Sequence, residues 1–203
     1  MPKSTSLWSQ HEQPILWRRA FLAGAAAASL MMGVVDAVSL VGLTPFSFEH
    51  YLGSLVLSDP ASGNAWTAGV LVNWLIGGVF GFLYAYFFEY VYRRASAGLG
   101  LRLGLAHALA ASVAFFPFFQ LLHEQLGRSP YPEFGFFGTG LGAATPVVLL
   151  LAHLFFGVTV GLFYGPVRSA RVHARVWEPG ESGIPGERGV IGVREDPVDS
   201  GFF

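Results

Sequence analysis

Four long runs of apolar residues, separated by short polar connections, dominate the pattern along this chain. They cover residues 17–43, 65–92, 101–122 and 141–167. Each run reaches the roughly 20 residues that an α-helix needs to cross a hydrocarbon layer about 30 Å thick. The pattern therefore predicts an all-α integral membrane four-helix bundle at 17–167, preceded by a short segment at 1–16 and followed by a tail at 168–203.

The basic residues lie on one side of these predicted spans. If the connections alternate between the two membrane faces, eleven of the twelve Lys and Arg residues share the side of both termini, and only Arg128 lies opposite. Positive residues that flank spans stay in the cytoplasm. We therefore predict that both termini are cytoplasmic and that the connections 44–64 and 123–140 are outside.

Composition limits the function classes. Hydrophobic residues make up 53% of the chain and charged residues 12%, about half the charged share of soluble proteins. The connections are too short to bury a core of their own, so we expect no extramembrane catalytic domain and no enzyme. The chain has no cysteine, which excludes disulfides, thiolate nucleophiles, Cys-ligated zinc and iron–sulfur clusters.

The two halves of the predicted bundle resemble each other. A shift of 80 residues places Gly77 and Gly81 on Gly157 and Gly161, and a shift of 83 aligns the alanine-rich first run with the third. This similarity indicates two tandem helical hairpins related by a parallel internal repeat. Glycines four residues apart let helix backbones approach closely in a membrane, so we predict that these four glycines pack helices together.

The last run has the form His-x-x-x-Gly-x-x-x-Gly-x-x-Tyr-Gly, from His153 to Gly165. Together with the Gly-x-x-x-Gly-x-x-Tyr pattern that begins at Gly77 and the alanine-rich first run, it resembles a family of small four-helix bacterial membrane proteins of unknown function. The resemblance covers about residues 17–167. It implies a multi-pass protein of the bacterial inner membrane and brings no activity with it.

Ionisable and strongly polar residues inside spans are the first candidates for function, because burying each one unpaired costs several kcal/mol. Counted from the nearest cytoplasmic arginine at ~1.5 Å per residue, Asp36, Asn73 and His153 lie between about 22 and 30 Å deep. We interpret them as a buried polar layer of interhelical hydrogen bonds, in which Asp36 meets His153. A proton- or ligand-handling site is the alternative. The same count puts His107 only about 8 Å deep, which disfavours a bis-histidine haem shared with His153.

The outer connections contain two further pairs of polar residues. Apolar residues at helical spacing between 48 and 56 predict a short helix that lies in the outer membrane interface. Glu49-His50 and His123-Glu124 carry metal-competent side chains, but sequence neighbours point in different directions on a helix. We therefore predict no metal site and interpret these residues as solvated.

Two further residues predict local features of the spans. Pro117 should kink the third span, because proline removes one helical hydrogen bond and crowds the preceding turn. Glu89 lies four residues before Arg93, and this spacing predicts an ion pair at the cytoplasmic edge.

Taken together, these patterns favour a non-catalytic accessory or structural subunit of a larger membrane assembly, such as an electron-transfer complex. The 19 phenylalanines and a tail that ends in Phe202-Phe203 offer surfaces for docking. We expect lipid and other membrane subunits as partners, no nucleic acid and no cofactor. The alternative is a small transporter, or a bundle that binds quinone, haem or pigment, working through Asp36, Asn73 and His153.

Overall fold

The computed structural model of the chain describes residues 15–44, 47–59, 62–127 and 133–167. The predicted tail at 168–203 and nearly all of the N-terminal segment lie outside these residues. The described part contains α1 (Trp17–Leu40), α2 (Phe48–Ser54), α3 (Gly63–Tyr86), α4 (Ala97–Ala110), α5 (Phe116–Gln125) and α6 (Thr145–Tyr164). A π-helical turn, Phe87–Val91, extends α3, another, Ala111–Phe115, joins α4 to α5, and a 3-10 turn, Phe136–Leu141, precedes α6.

Four helical segments are long and apolar enough to cross a membrane. They are Trp17–Leu40, Gly63–Val91, Ala97–Gln125 and Thr145–Tyr164, and we call them spans 1 to 4. The described residues contain no strand. The prediction of an all-α, multi-pass helical bundle is therefore confirmed.

Serine side chains define where three of the helices begin. The hydroxyl oxygens of Ser47, Ser62 and Ser96 accept hydrogen bonds from backbone N–H groups in the first turns of α2, α3 and α4. Such caps satisfy backbone donors that have no partner within the helix. In α6 the first turn contains Pro146 instead, whose missing N–H costs nothing at that position.

Glycine contacts hold the helices together in two pairs. Span 1 packs against span 2 and span 3 packs against span 4, while spans 1 and 4 join the two pairs. In the first pair, a Cβ atom added at Gly81 would overlap the carbonyl oxygen of Ala20. In the second pair, a Cβ at Gly157 would overlap the carbonyl oxygen of Gly100. Gly77 and Gly161 lie at the same two crossings.

The two crossings correspond to each other, but in a different register from the one read in the sequence. Gly81 faces the Cα atom of Gly24, and Gly161 faces that of Gly100. Spans 2 and 4 thus match at a shift of 80 residues, whereas spans 1 and 3 match at 76 rather than 83. The internal repeat stays a prediction, which a comparison of these two glycine crossings can test.

Helix α2 is buried, which corrects the expectation that it lies in the outer interface. Tyr51, Leu52 and Ser54 are each at most 1% exposed. The backbone of α2 touches α3 directly, because Gly69 faces the carbonyl group of Glu49 and Gly53 faces that of Ala65. Two glycines on facing helices allow this approach, and α2 therefore closes the end of the bundle at which span 1 ends and span 2 begins.

Span 3 is distorted where Pro117 led us to expect a kink. The distortion is the π-helical turn Ala111–Phe115, which ends two residues before the proline. A π-helical turn widens the backbone locally and leaves room for a ring that an α-helix would crowd.

Candidate functional site

A cavity of about 70 Å³ lies in the middle of the bundle. All four spans and α2 contribute to its wall, which is almost entirely apolar. Its aromatic lining consists of six phenylalanines, Phe48, Phe80, Phe115, Phe116, Phe119 and Phe156. Its polar residues are Asn73, His107 and His153. The π-helical turn of span 3 borders the cavity through Ala111 and Phe115, and such turns are frequent at functional sites.

The two histidines lie side by side, which corrects the depth argument. The ring centroids of His107 and His153 are 4.8 Å apart, with the rings nearly perpendicular. The count from Arg102 placed His107 too near the cytoplasm, because Arg102 is an exposed residue inside α4. Long arginine side chains extend along a helix towards water, so Arg102 does not mark the membrane edge.

A hydrogen bond assigns the proton on the ring of His153. Nδ1 of His153 lies 2.7 Å from the carbonyl oxygen of Leu149, and a carbonyl only accepts, so Nδ1 carries the proton and Nε2 keeps a lone pair. Nδ1 of His107 lies 3.5 Å from the hydroxyl of Tyr84. Phe80 stacks on the His107 ring at 3.9 Å. Sequence reasoning missed Tyr84 and Phe80, although both lie in the Gly-x-x-x-Gly span.

Of the predicted polar layer, the structure brings two members to the same cavity. Asn73 is 2% exposed, and its Nδ2 donates to the carbonyl oxygen of Ala28 at 3.4 Å, which ties span 2 to span 1. This bond fits the interpretation of an interhelical register contact. His153 lines the cavity opposite, on span 4.

Asp36, the third member, faces α2. Its carboxyl group lies within hydrogen-bonding reach of that of Glu49, and His50 is the other ionisable group close enough to act on it. Val35, the preceding residue, lines the cavity. Successive residues of a helix point about 100° apart, so Asp36 turns away from the cavity. No contact between Asp36 and His153 occurs among the described residues, and the expected pairing is therefore corrected.

In the pair His123-Glu124, one residue is buried and the other is exposed. His123 is 2% exposed: its Nδ1 lies 2.8 Å from the Phe119 carbonyl oxygen, and its Nε2 lies 2.8 Å from Ser54 Oγ and 3.0 Å from the Tyr51 carbonyl oxygen. Glu49 is buried as well, whereas Glu124 is exposed. The interpretation as solvated residues is wrong for Glu49 and His123, because both anchor the buried α2.

At the end of the bundle where spans 2 and 4 finish, Glu89 has a partner that the sequence pattern did not suggest. The hydroxyl of Tyr164 donates to Oε1 of Glu89 at 2.7 Å, which joins spans 2 and 4. Arg93, the expected partner, is exposed and lies after the π-helical turn with a positive φ of 53°. The widened turn changes the spacing on which the expected i,i+4 pair depended.

The cavity limits what the site can hold. No group of three or more His, Asp or Glu side chains within the described ranges is placed to bind a metal ion. The volume is well below the roughly 150 Å³ of an engineered cavity that admits benzene, so a haem does not fit between these helices. The arrangement suits a small, mainly apolar molecule.

Comparison of the chain with protein-family models, with curated proteins and with solved structures gave no match. The resemblance to small bacterial four-helix membrane proteins therefore stays an expectation from sequence.

Proposed function

We propose that this chain is a non-catalytic membrane protein whose bundle binds a small, mainly apolar molecule with one hydrogen-bonding group. The observation that carries this proposal is the pair of histidines in the wall of an otherwise phenylalanine-lined cavity. An unpaired acceptor in apolar surroundings costs about 1–3 kcal/mol. A ligand that donates to Nε2 of His153 recovers this cost.

The cavity also favours an apolar ligand over water. A buried water needs two to four polar partners, and Asn73 already donates to Ala28 while the hydrogen on His153 Nδ1 is used by Leu149. The aromatic wall supports the same ligand class, because rings pack well against alkyl and aryl groups. At about 70 Å³, the site accommodates a few heavy atoms or the end of a longer molecule.

Cavity filling tests this proposal in purified protein embedded in lipid nanodiscs. Xenon-129 NMR should detect xenon in the natural protein and lose that signal in Ala111→Leu, whose larger side chain occupies the cavity. Ala110→Leu is the matched control, since Ala110 is the exposed neighbour and its change leaves the cavity open.

A second probe tests the hydrogen bond. Adding 1-propanol should shift the ¹⁵N resonance of His153 Nε2, because the hydroxyl donates to that atom, whereas xenon should leave the resonance in place. Equal xenon signals in Ala111→Leu and Ala110→Leu, or no response of His153 to the alcohol, would contradict the proposed site.

The accessory subunit is the second candidate function. Large aromatic residues on the outside of the bundle favour it, among them Trp17, Trp66, Trp74, Tyr86 and Phe118, which are each at least 42% exposed. Lipid covers such residues in a lone protein, and a neighbouring subunit covers them in an assembly. Purification from the native membrane in mild detergent separates the two cases. Co-migrating subunits that are lost on deletion of residues 178–203 would support docking, and a monomer without partners would exclude it.

We further propose the bacterial inner membrane as the location, with both termini in the cytoplasm. The distribution of Lys and Arg supports this orientation. Since the chain has no cysteine, single cysteines at the exposed Ser58 and Ser96 should react with an impermeant maleimide from opposite sides. Labelling of Ser96→Cys from outside intact cells would reverse the assignment.

A further inference from the structure

Two carboxyl groups meet at the outer end of the bundle, one from span 1 and one from α2. Asp36 is half-buried in α1, and Glu49 of α2 is 1% exposed. Their carboxyl groups lie within hydrogen-bonding reach of each other. A hydrogen bond between two carboxyl groups needs a proton on one of them, because two carboxylates offer only acceptors and repel each other.

The buried carboxyl of Glu49 has one satisfied and one unsatisfied oxygen. Oε2 accepts from the hydroxyl of Ser47 at 2.9 Å. Oε1 is buried and has no hydrogen-bond donor when both acids are ionised. An orphaned carboxylate oxygen in this position is costly, and a proton on the Asp36–Glu49 pair removes both the charge repulsion and part of that cost.

A hydrogen-bonded relay leads from this pair to the half-buried His50. Oγ of Ser47 lies 2.9 Å from Nδ1 of His50. Since the Ser47 hydroxyl proton already points to Glu49, Nδ1 must donate to Ser47. A proton that arrives at Nε2 of His50 lets the Nδ1 proton pass to Ser47 while the hydroxyl proton passes to Glu49. His50 is then neutral again, in its other tautomer, and one proton has moved inwards.

We propose that Asp36 and Glu49 form a proton-binding site that is loaded from the outer surface through His50 and Ser47. The bound proton holds α2 against span 1. When it leaves, two adjacent carboxylates repel and α2 loosens. Val35 and Phe48, the sequence neighbours of the two acids, both line the central cavity. Proton loss therefore opens the outer wall of the cavity, a consequence that rests on the proposed ligand site.

Few other ionisable groups act on this pair. Those that act on Asp36 are Glu49 and His50, both on α2. Span 3 contributes His123, which contacts α2 through Ser54 and Tyr51. Among the described residues, no lysine or arginine acts on Asp36, so no fixed positive charge replaces the proton.

Infrared spectroscopy of the full chain in nanodiscs tests the proton directly. In mildly acidic buffer a C=O stretching band of a protonated carboxyl should appear, shift in D₂O, and be absent from both Asp36→Asn and Glu49→Gln. The exposed carboxyl of Glu124 provides the control, and Glu124→Gln should keep the band. In Ser47→Ala the D₂O shift should develop more slowly. A spectrum without the band, or one that both isosteric variants retain, would overturn the site.

Cysteine reactivity tests the movement of α2 without any cavity ligand, so its failure is distinguishable from failure of the proposed function. Leu52 is fully buried in α2, and Ser58 is exposed. The maleimide labelling rate of Leu52→Cys, divided by that of Ser58→Cys, should rise at least tenfold from acidic to alkaline buffer. With Asp36→Asn the ratio should stay constant, because the asparagine amide donates to Glu49 at every pH. An equal rise with and without Asp36→Asn, or a constant ratio in both, would refute the switch.

Discussion

Replacing Gly157 by leucine should destabilise the bundle by about 3 kcal/mol, at the upper end for overpacked sites. Gly157 lies where span 4 crosses span 3, and an added Cβ overlaps the carbonyl oxygen of Gly100. Because the obstacle is the backbone of a facing helix, no side-chain rotation can relieve the overlap. The two helices must separate, and the contacts along the crossing weaken together.

Gly33→Leu is the matched control for this substitution. Gly33 is exposed on span 1 and has no atom within 4 Å of an added Cβ. Reversible unfolding in mixed micelles of mild detergent and sodium dodecyl sulfate measures both variants against the natural protein. Equal stability of Gly157→Leu and Gly33→Leu would show that the crossing tolerates larger residues.

His123→Phe should cost about 2–3 kcal/mol, because it leaves buried polar groups without their partner. The substitution keeps an aromatic ring against Tyr51, whose ring centroid is 4.0 Å from that of His123. It removes the contacts to the Phe119 and Tyr51 carbonyl oxygens and to Ser54. Since the contacts to Ser54 and Tyr51 tie α2 to span 3, α2 should loosen more than the rest of the bundle.

The same unfolding measurement checks this expectation, and maleimide labelling of Leu52→Cys locates the effect. The exposed neighbour Glu124 supplies the control through Glu124→Gln, which should change stability by less than about 0.5 kcal/mol. A His123→Phe protein as stable as that control would mean that packing alone anchors α2.

The buried polar contacts of the bundle fall into two kinds with different consequences. Asn73 and Tyr164 make bonds that join helices and need no exchange with the surroundings. Asp36 and Glu49 bring two carboxyl groups together, and His153 uses its Nδ1 proton for Leu149, which leaves Nε2 as an acceptor. Only the second kind has hydrogen-bonding capacity that a proton or a ligand could use, and the two proposals therefore rest on those residues.

The hydropathy pattern and the glycine spacing were enough to predict the spans and the residue types at their crossings. The length of an apolar run is set by the thickness of the membrane, so the four spans could be predicted from hydropathy alone. Glycines at a spacing of four residues share one face of a helix whatever that helix packs against. The placement of Gly77, Gly81, Gly157 and Gly161 at helix crossings therefore needed no knowledge of the neighbours.

Which polar groups meet could be seen only from the way the helices pack. The depth estimate, which counts residues from an arginine, assumes straight helices that begin at the membrane surface. Arg102 instead lies inside its helix. The assumption therefore separated His107 from His153, which are adjacent. Hydropathy likewise placed α2 at the interface, because it does not encode the fit of Gly53 and Gly69 between two backbones. That fit buries Glu49 and directs it to Asp36. The meeting of two side chains depends on the rotation of each helix and on contacts between residues far apart in the chain, and hydropathy describes neither.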